Sequence, residues 1–119
     1  MARILLAEDD DQLRVFLERG LQRAGHVVDS VGDGAAAWAL AERQSFDLLL
    51  ADVVMPGLDG IELARKVSAQ QPGIRVMFIT GFAAVVMREE GLSQTRARVL
   101  AKPFHLRHLI DEVEALLLE

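Results

Sequence analysis

An open parallel sheet with helices packed on both faces is the fold class that this sequence predicts. Two observations carry it. Apolar runs of strand length alternate with helix-period segments five times along 119 residues. The first, third and fourth of these runs are apolar nearly throughout, as strands covered on both faces must be. The length suits one domain with a proper core. No repeat, low-complexity stretch or linker interrupts it, so residues 1–119 read as a single domain.

Strands are expected at Arg3–Ala7, His26–Val31, Phe46–Ala51, Ile74–Ile79 and Arg98–Ala101. Between them, Gln12–Ala24, Ala35–Arg43, Ile61–Gln70, a weaker Ala83–Arg88 and a final Leu106–Leu118 repeat their apolar residues at helical spacing. In the first helix Leu13, Phe16, Leu17, Leu21 and Ala24 should form the core-facing side. Asp59-Gly-Ile-Glu62 has the pattern of a capping box at the start of the third. The second strand mixes Val27, Val28 and Val31 with Asp29 and Ser30, and the fifth carries Arg98. Both are therefore expected at sheet edges. Strand order 2-1-3-4-5 puts them there, which is the flavodoxin-like (βα)5 variant of the doubly wound fold.

Composition narrows the function classes. Hydrophobic residues make up 51% and charged residues 26%, the balance of an ordinary soluble protein. No apolar run approaches the length of a bilayer span. The N-terminus meets Glu8 and Asp9 at once and has no cleavage site after an apolar stretch, so no signal peptide is expected. With no cysteine, neither a disulfide framework nor a thiolate metal site can form, and a cytoplasmic location is expected. Net charge is −5 with the basic residues dispersed, which argues against nucleic-acid binding, where a basic face supplies most of the affinity.

In such a sheet, ligands bind beyond the carboxyl ends of the strands. The first strand runs into Glu8-Asp9-Asp10, the third into Asp52, the fourth into Thr80-Gly81 and the fifth into Lys102-Pro103. Carboxylates converging on one pocket raise each other's pKa unless a cation joins them. Mg²⁺ suits such a site, since it takes one or two carboxylates, keeps waters and binds phosphate. A carboxylate oxygen of Asp52 is able to attack phosphorus and form an aspartyl-phosphate, with the metal and the Lys102 ammonium neutralising the transferred oxygens. Thr80 offers a hydroxyl to a phosphoryl oxygen, and Gly81 leaves room for the incoming group. Taken singly, each part has a plainer use: an acidic residue after a strand is commonly a helix cap, and Asp10 or Asp11 can be only that. Specificity lies in four strand ends each carrying the right residue type, in order. Asp29, Asp33 and Asp47 lack such company and read as surface or turn residues.

At this point a family resemblance is plain. Ile-Leu-Leu-Ala-Glu8-Asp9-Asp10, Asp52-Val-Val-Met-Pro56-Gly-Leu-Asp59-Gly60, Phe78-Ile-Thr80-Gly81 and Lys102-Pro103-Phe104 resemble the signatures of two-component receiver domains, in order and across the whole chain. The resemblance implies that Asp52 is the phosphoacceptor and, with Asp9, a direct Mg²⁺ ligand. Glu8 then acts on the metal through water, and Val54 supplies a main-chain carbonyl. Thr80 and Lys102 match the hydroxyl and ammonium that hold the phosphoryl group, and Lys102-Pro103 matches a cis peptide bond. The phosphodonor implied is a phosphohistidine of a histidine kinase or histidine phosphotransfer protein. Such a domain catalyses only its own phosphorylation and dephosphorylation. The resemblance also implies a two-state switch, in which Thr80 moves toward the phosphoryl group and alters the surface of the fourth helix, fifth strand and fifth helix.

The sequence departs from the family pattern three residues before the lysine. An aromatic ring usually swings inward there; Val99 has none, which puts the aromatic readout in doubt. Val54 and Phe82 place apolar side chains beside the site and are expected to shield an aspartyl-phosphate from water. Val15 sits off the core face of the first helix, beside Asp11, Glu18 and Gln22. Receivers dock their phosphodonors with the first helix and the loop after the fifth strand, which makes Val15 and Phe104 candidate donor contacts. His105 and His108 read as solvated residues.

The chain ends at Leu118-Glu119, where the last helix should end, so action through protein contacts alone is expected. Val76-Met-Phe-Ile-Thr-Gly-Phe-Ala-Ala-Val-Val86 and Val99-Leu-Ala-Lys-Pro-Phe-His-Leu-Arg107 further resemble the CpdR family of stand-alone receivers. That likeness implies an adaptor that engages the ClpXP protease when unphosphorylated, in control of the cell cycle. A phosphorelay shuttle is the alternative within signalling. A flavin-binding electron carrier on the same fold would need a hydroxyl- and glycine-rich phosphate loop where Glu8-Asp9-Asp10 stands. An Asp-nucleophile phosphatase would need a second acid at Val54.

Overall fold

The structure is a computed structural model that describes residues 1–81 and 97–119. The expected helical segment Ala83–Arg88, and Phe82, lie outside the described residues. Five strands, β1 (Arg3–Ala7), β2 (Val27–Val31), β3 (Leu48–Asp52), β4 (Arg75–Thr80) and β5 (Arg98–Ala101), form one sheet in the order β2-β1-β3-β4-β5. Every pairing is parallel. The described helices are α1 (Asp11–Arg23), α2 (Gly34–Arg43), α3 (Gly60–Gln70) and α4 (Leu106–Leu117). Among the described residues, no helix is long and apolar enough to cross a membrane.

Strand alternation sorts the core into two layers. Leu5, Leu49, Val76 and Phe78 point to the side of α2 and α3, where they meet Ala37, Ala41, Leu63 and Val67. Ile4, Leu6, Leu48, Leu50, Met77 and Ile79 point to α1 and α4, against Leu17, Leu21, Leu109 and Val113. The middle strands are buried nearly throughout, whereas β2 and β5 keep half-buried residues, as edge positions require.

Strands β3 and β4 begin later than their apolar runs for a definable reason. The Phe46 amide donates to the Gln71 side chain at 2.9 Å, and the Ile74 amide to the Gln71 carbonyl at 3.0 Å. Both residues are buried at the strand entrances, but their hydrogen bonds go to the end of α3 rather than into the ladder. At the other end, β3 and β4 each extend one residue further than expected and finish on Asp52 and Thr80. The helix starts follow their caps. Asp10, Asp33 and Asp59 accept from the amides of Leu13, Ala36 and Glu62 respectively. The Glu62 carboxylate, expected to complete a capping box, is engaged by Arg65 at 3.3 Å.

One expectation about α1 is corrected. Phe16 does not face the core; it is 53% exposed. Gly20 takes the inner position instead, because Leu106 presses against it so closely that a Cβ there would lie 2.8 Å from a Leu106 methyl group. Phe16, one turn before Gly20, lines the outer groove beside Leu106.

Two further glycines let the loops around the strand ends close up. A Cβ at Gly34 would stand 2.0 Å from the Leu58 carbonyl oxygen, and one at Gly60 would stand 2.2 Å from that of Asp52. Both obstacles are backbone and cannot rotate away. Gly34→Ala is therefore expected to cost about 1–3 kcal/mol of stability by overpacking. Gly73→Ala, which meets no described atom within 4 Å, should stay within about 0.5 kcal/mol of the parent. Urea midpoints of the two variants check this, and equal midpoints would refute the close-approach account.

Candidate functional site

The site is assembled by where the strands stop. Beyond Ala7, the last residue of β1, the Glu8 amide still donates to the Val31 carbonyl of β2 at 3.1 Å. This holds Glu8 at the sheet, fully buried, while Asp9 turns out to solvent. Asp10 then caps α1. Asp52 closes β3 as its last ladder residue, paired with Ile79, and its side chain is buried. The result is that Glu8, Asp9 and Asp52 each offer a carboxylate oxygen within 4.8 Å of the other two.

Lys102 supplies the counter-charge. Its amide donates to the Thr80 carbonyl at 2.8 Å, which carries the register of β5 one residue past the strand. Its Nζ then lies 2.9 Å from Asp52 Oδ2 and 3.2 Å from Glu8 Oε1. Asp52 Oδ1 accepts from the Val54 amide at 3.2 Å, and Glu8 Oε2 from the Asp10 amide at 3.0 Å. The Lys102–Pro103 peptide bond is cis, as the family resemblance implies. Thr80 is fully buried at the end of β4, beside the same pocket edge.

Among the described residues, one ammonium bonds within this cluster of three carboxyl groups, to Glu8 and Asp52. Burial pushes the Glu8 carboxyl up from an ordinary value of 4.5 to about 7. The Asp10 amide and Lys102 oppose the rise, and the Asp52 charge adds to it. For Lys102, burial by itself favours the neutral amine. The hydrogen bond to Asp52 and the two carboxylate charges outweigh burial, and its net displacement is upward. Such a donor set, all oxygen and short of positive charge, fits a hard divalent cation.

The remaining candidates fall into three places. Val54, 58% exposed, stands at the rim with its amide turned onto Asp52. Val99 lies in the middle of β5, opposite Phe78, and packs half-buried against the α2/α3 side of the core. Val15 and Phe104 are not in the pocket. Val15 is exposed on α1, and Phe104 packs half-buried after β5. Val15 lines a groove of about 550 Å³ with Phe16 and Leu106, and Phe104 lines a second one of about 440 Å³ with Leu13, Phe16, Lys102 and Pro103. His105 and His108 are exposed. Asp33 is a helix cap, and Asp47 accepts the Arg3 amide, far from the pocket in the fold. At Gly81 an added Cβ would meet no described atom within 4 Å.

Two contributors escaped the sequence reading. Gly60 allows the start of α3 to pass over the Asp52 carbonyl. Arg14 donates to the Glu8 carbonyl at 2.8 Å. The signal for Arg14 was its position one turn into α1, since helical side chains lean back toward the N-terminus and hence toward the acidic loop.

A parallel 2-1-3-4-5 sheet whose strand ends gather three carboxyl groups, a buried threonine and a lysine before a cis-proline defines a receiver of the response-regulator type. The chain belongs to the response regulator receiver domain family, whose model matches residues 4–114. It is 48% identical over 118 residues to the response regulator receiver protein CpdR of Brucella abortus, covering 99% of this chain and 98% of that one. The receiver domain of the hybrid histidine kinase CckA superposes with a TM-score of 0.83 at 34% identity, covering 97% and 98% of the two chains. The Thermotoga maritima response regulator TrrA, solved in complex with Mg²⁺-BeF, superposes with a TM-score of 0.85 at 26% identity over 98% and 99%.

The buried Glu8 carboxyl makes stability depend on pH in a definite sense. Free of divalent cations, the folded chain keeps this proton up to about pH 7, while the unfolded chain releases it near 4.5. The folded state binds more protons across that window, so its stability falls as pH rises through it and levels off above. Urea midpoints in a chelator should drop from pH 5 to pH 8 by more in the parent than in Glu8→Gln. The same drop in both would contradict the assignment.

Proposed function

We propose that residues 1–119 form one receiver domain acting as a single-domain response regulator, with Asp52 as the phosphoacceptor. The observation that carries this reading is the convergence of Glu8, Asp9 and Asp52 within 4.8 Å, with Lys102 hydrogen-bonded to Asp52. Asp9 and Asp52 would ligate Mg²⁺ directly, with Glu8 acting through water and Val54 through its main-chain carbonyl. The ion, when bound, supplies positive charge to the oxygens of the transferred group.

A carboxylate oxygen of Asp52 attacks the phosphorus of a phosphohistidine. The new O–P bond forms as the P–N bond breaks, and the imidazole departs with the electron pair and takes a proton. Lys102, already on Asp52 Oδ2, holds one phosphoryl oxygen, and the Thr80 hydroxyl donates to another. Val54 limits access of hydrolytic water. The movement of Thr80 alters the surface of β5 and α4, and with valine at position 99 no ring swing transmits it. The donor, a histidine kinase or histidine phosphotransfer protein, docks on the grooves of Val15, Phe16 and Phe104 beside Lys102.

The output follows from the likeness to CpdR along nearly the full length of both chains. The unphosphorylated chain is a cytoplasmic adaptor that engages ClpXP and primes it for selected substrates in the cell cycle. Phosphorylation ends that engagement.

Acetyl phosphate with Mg²⁺ should label the parent and leave Asp52→Asn unlabelled, and a chelator should abolish labelling. Label persisting in Asp52→Asn would refute the phosphoacceptor. Val15→Asp should slow labelling by the histidine phosphodonor about tenfold and leave acetyl phosphate labelling unchanged. Immobilised ClpX should retain the unphosphorylated chain and Asp52→Ala but release the phosphorylated parent. Capture of a histidine phosphotransfer protein alone would favour the shuttle.

A further inference from the structure

We infer that Arg14 is a positioning residue for the divalent-cation site, setting the angle between Glu8 and Asp9 by holding the peptide that joins them. The inference rests on the Mg²⁺ reading above.

Arg14 lies one turn into α1, and its own amide closes that turn on the Asp10 carbonyl at 2.8 Å. Its guanidinium is divided between two acceptors: Nη1 donates to the Glu8 carbonyl at 2.8 Å and Nη2 to Asp11 Oδ1 at 2.7 Å. The side chain is only 19% exposed. Gly32, in the turn after β2, leaves the space that it occupies, for a Cβ there would come within 3.1 Å of Nη1.

The bonded carbonyl belongs to the Glu8–Asp9 peptide. Rotation of that peptide plane would swing the Asp9 carboxylate relative to the Glu8 carboxylate, and so change the distances that bring both to Asp52. Glu8 is fixed from every other side: its amide by Val31, and its carboxylate by the Asp10 amide and Lys102. Asp9 is exposed. Its direction therefore depends on the peptide that Arg14 holds. A planar guanidinium bonding a carbonyl and a carboxylate together is a geometry that an ammonium does not reproduce.

A charge effect and a positioning effect carry opposite signs here. If Arg14 acted by its charge, removing a cation near the site would tighten Mg²⁺ binding. If it acts by holding the peptide, removal loosens binding, and outer contacts of this kind change metal affinity by about 10–100-fold.

The experiment measures Mg²⁺ affinity by calorimetry, and acetyl phosphate labelling at graded Mg²⁺, for the parent, Arg14→Met and Arg14→Lys. Far-UV circular dichroism confirms that each is folded. Arg14→Met should bind Mg²⁺ about tenfold more weakly and Arg14→Lys about threefold, with labelling at saturating Mg²⁺ restored to within about twofold of the parent. Affinity within twofold of the parent or tighter, in either folded variant, overturns the inference. So does a labelling loss that saturating Mg²⁺ does not repair. Should Arg14→Met not fold, Arg14→Lys alone decides. A parent that binds no Mg²⁺ defeats the metal reading itself, which keeps the two failures distinct.

Discussion

Three carboxyl groups share a pocket with one ammonium, and one of the three is buried completely. Charge held out of water has to be neutralised by a proton, a counter-ion or a metal. Lys102 serves Asp52 and Glu8 at once, and burial, with the Asp52 charge adding to it, raises the Glu8 pKa in spite of that ammonium. Around this site the backbone is arranged to keep acidic side chains together despite their repulsion. The ladder ends on Asp52, the Glu8 amide is tied to β2, and Lys102 is registered against Thr80. The carboxyl groups are thus held together by the same hydrogen bonds that hold the sheet.

That arrangement gives a receiver two properties at the same place. A pocket rich in carboxylate oxygens and poor in positive charge suits a hard divalent cation, and it lies where four strands end. Thr80 ends β4 and Lys102 follows β5, and the chain runs on from Lys102 through Phe104 into α4. The apolar groove of Leu13, Phe16, Pro103 and Phe104 borders the same lysine. The apolar surface and the carboxylate pocket are therefore neighbours on the structure, while Val99 lies on the other face of the sheet, packed with the α2/α3 core.

Much of this was legible because it repeats locally. The nearly unbroken apolar character of the first, third and fourth runs, the polar residues of β2 and Arg98 on β5 pointed to the strand order, and strand order brings the acidic ends together. What could not be read depends on one particular partner far along the chain. Phe16 fits an apolar helical face by spacing yet stands exposed, while Gly20, one turn on, is the residue seated under Leu106. The shortened strand starts depend on Gln71, a glutamine whose sequence neighbours say nothing of Phe46. Gly34 and Gly60 pass for ordinary helix starts until Leu58 and Asp52 are seen against them. Periodicity reports which face an element buries; it is silent on which atom meets which.

The central claim is that the buried Glu8 carboxyl holds a proton only until a divalent cation replaces it. Calorimetric Mg²⁺ titrations in buffers of different ionisation enthalpy read this directly as protons released on binding. Release of a fraction of a proton near pH 6, vanishing by pH 8.5 and lost in Glu8→Gln, is the predicted result. Mg²⁺ uptake with no proton exchanged at any pH would contradict it.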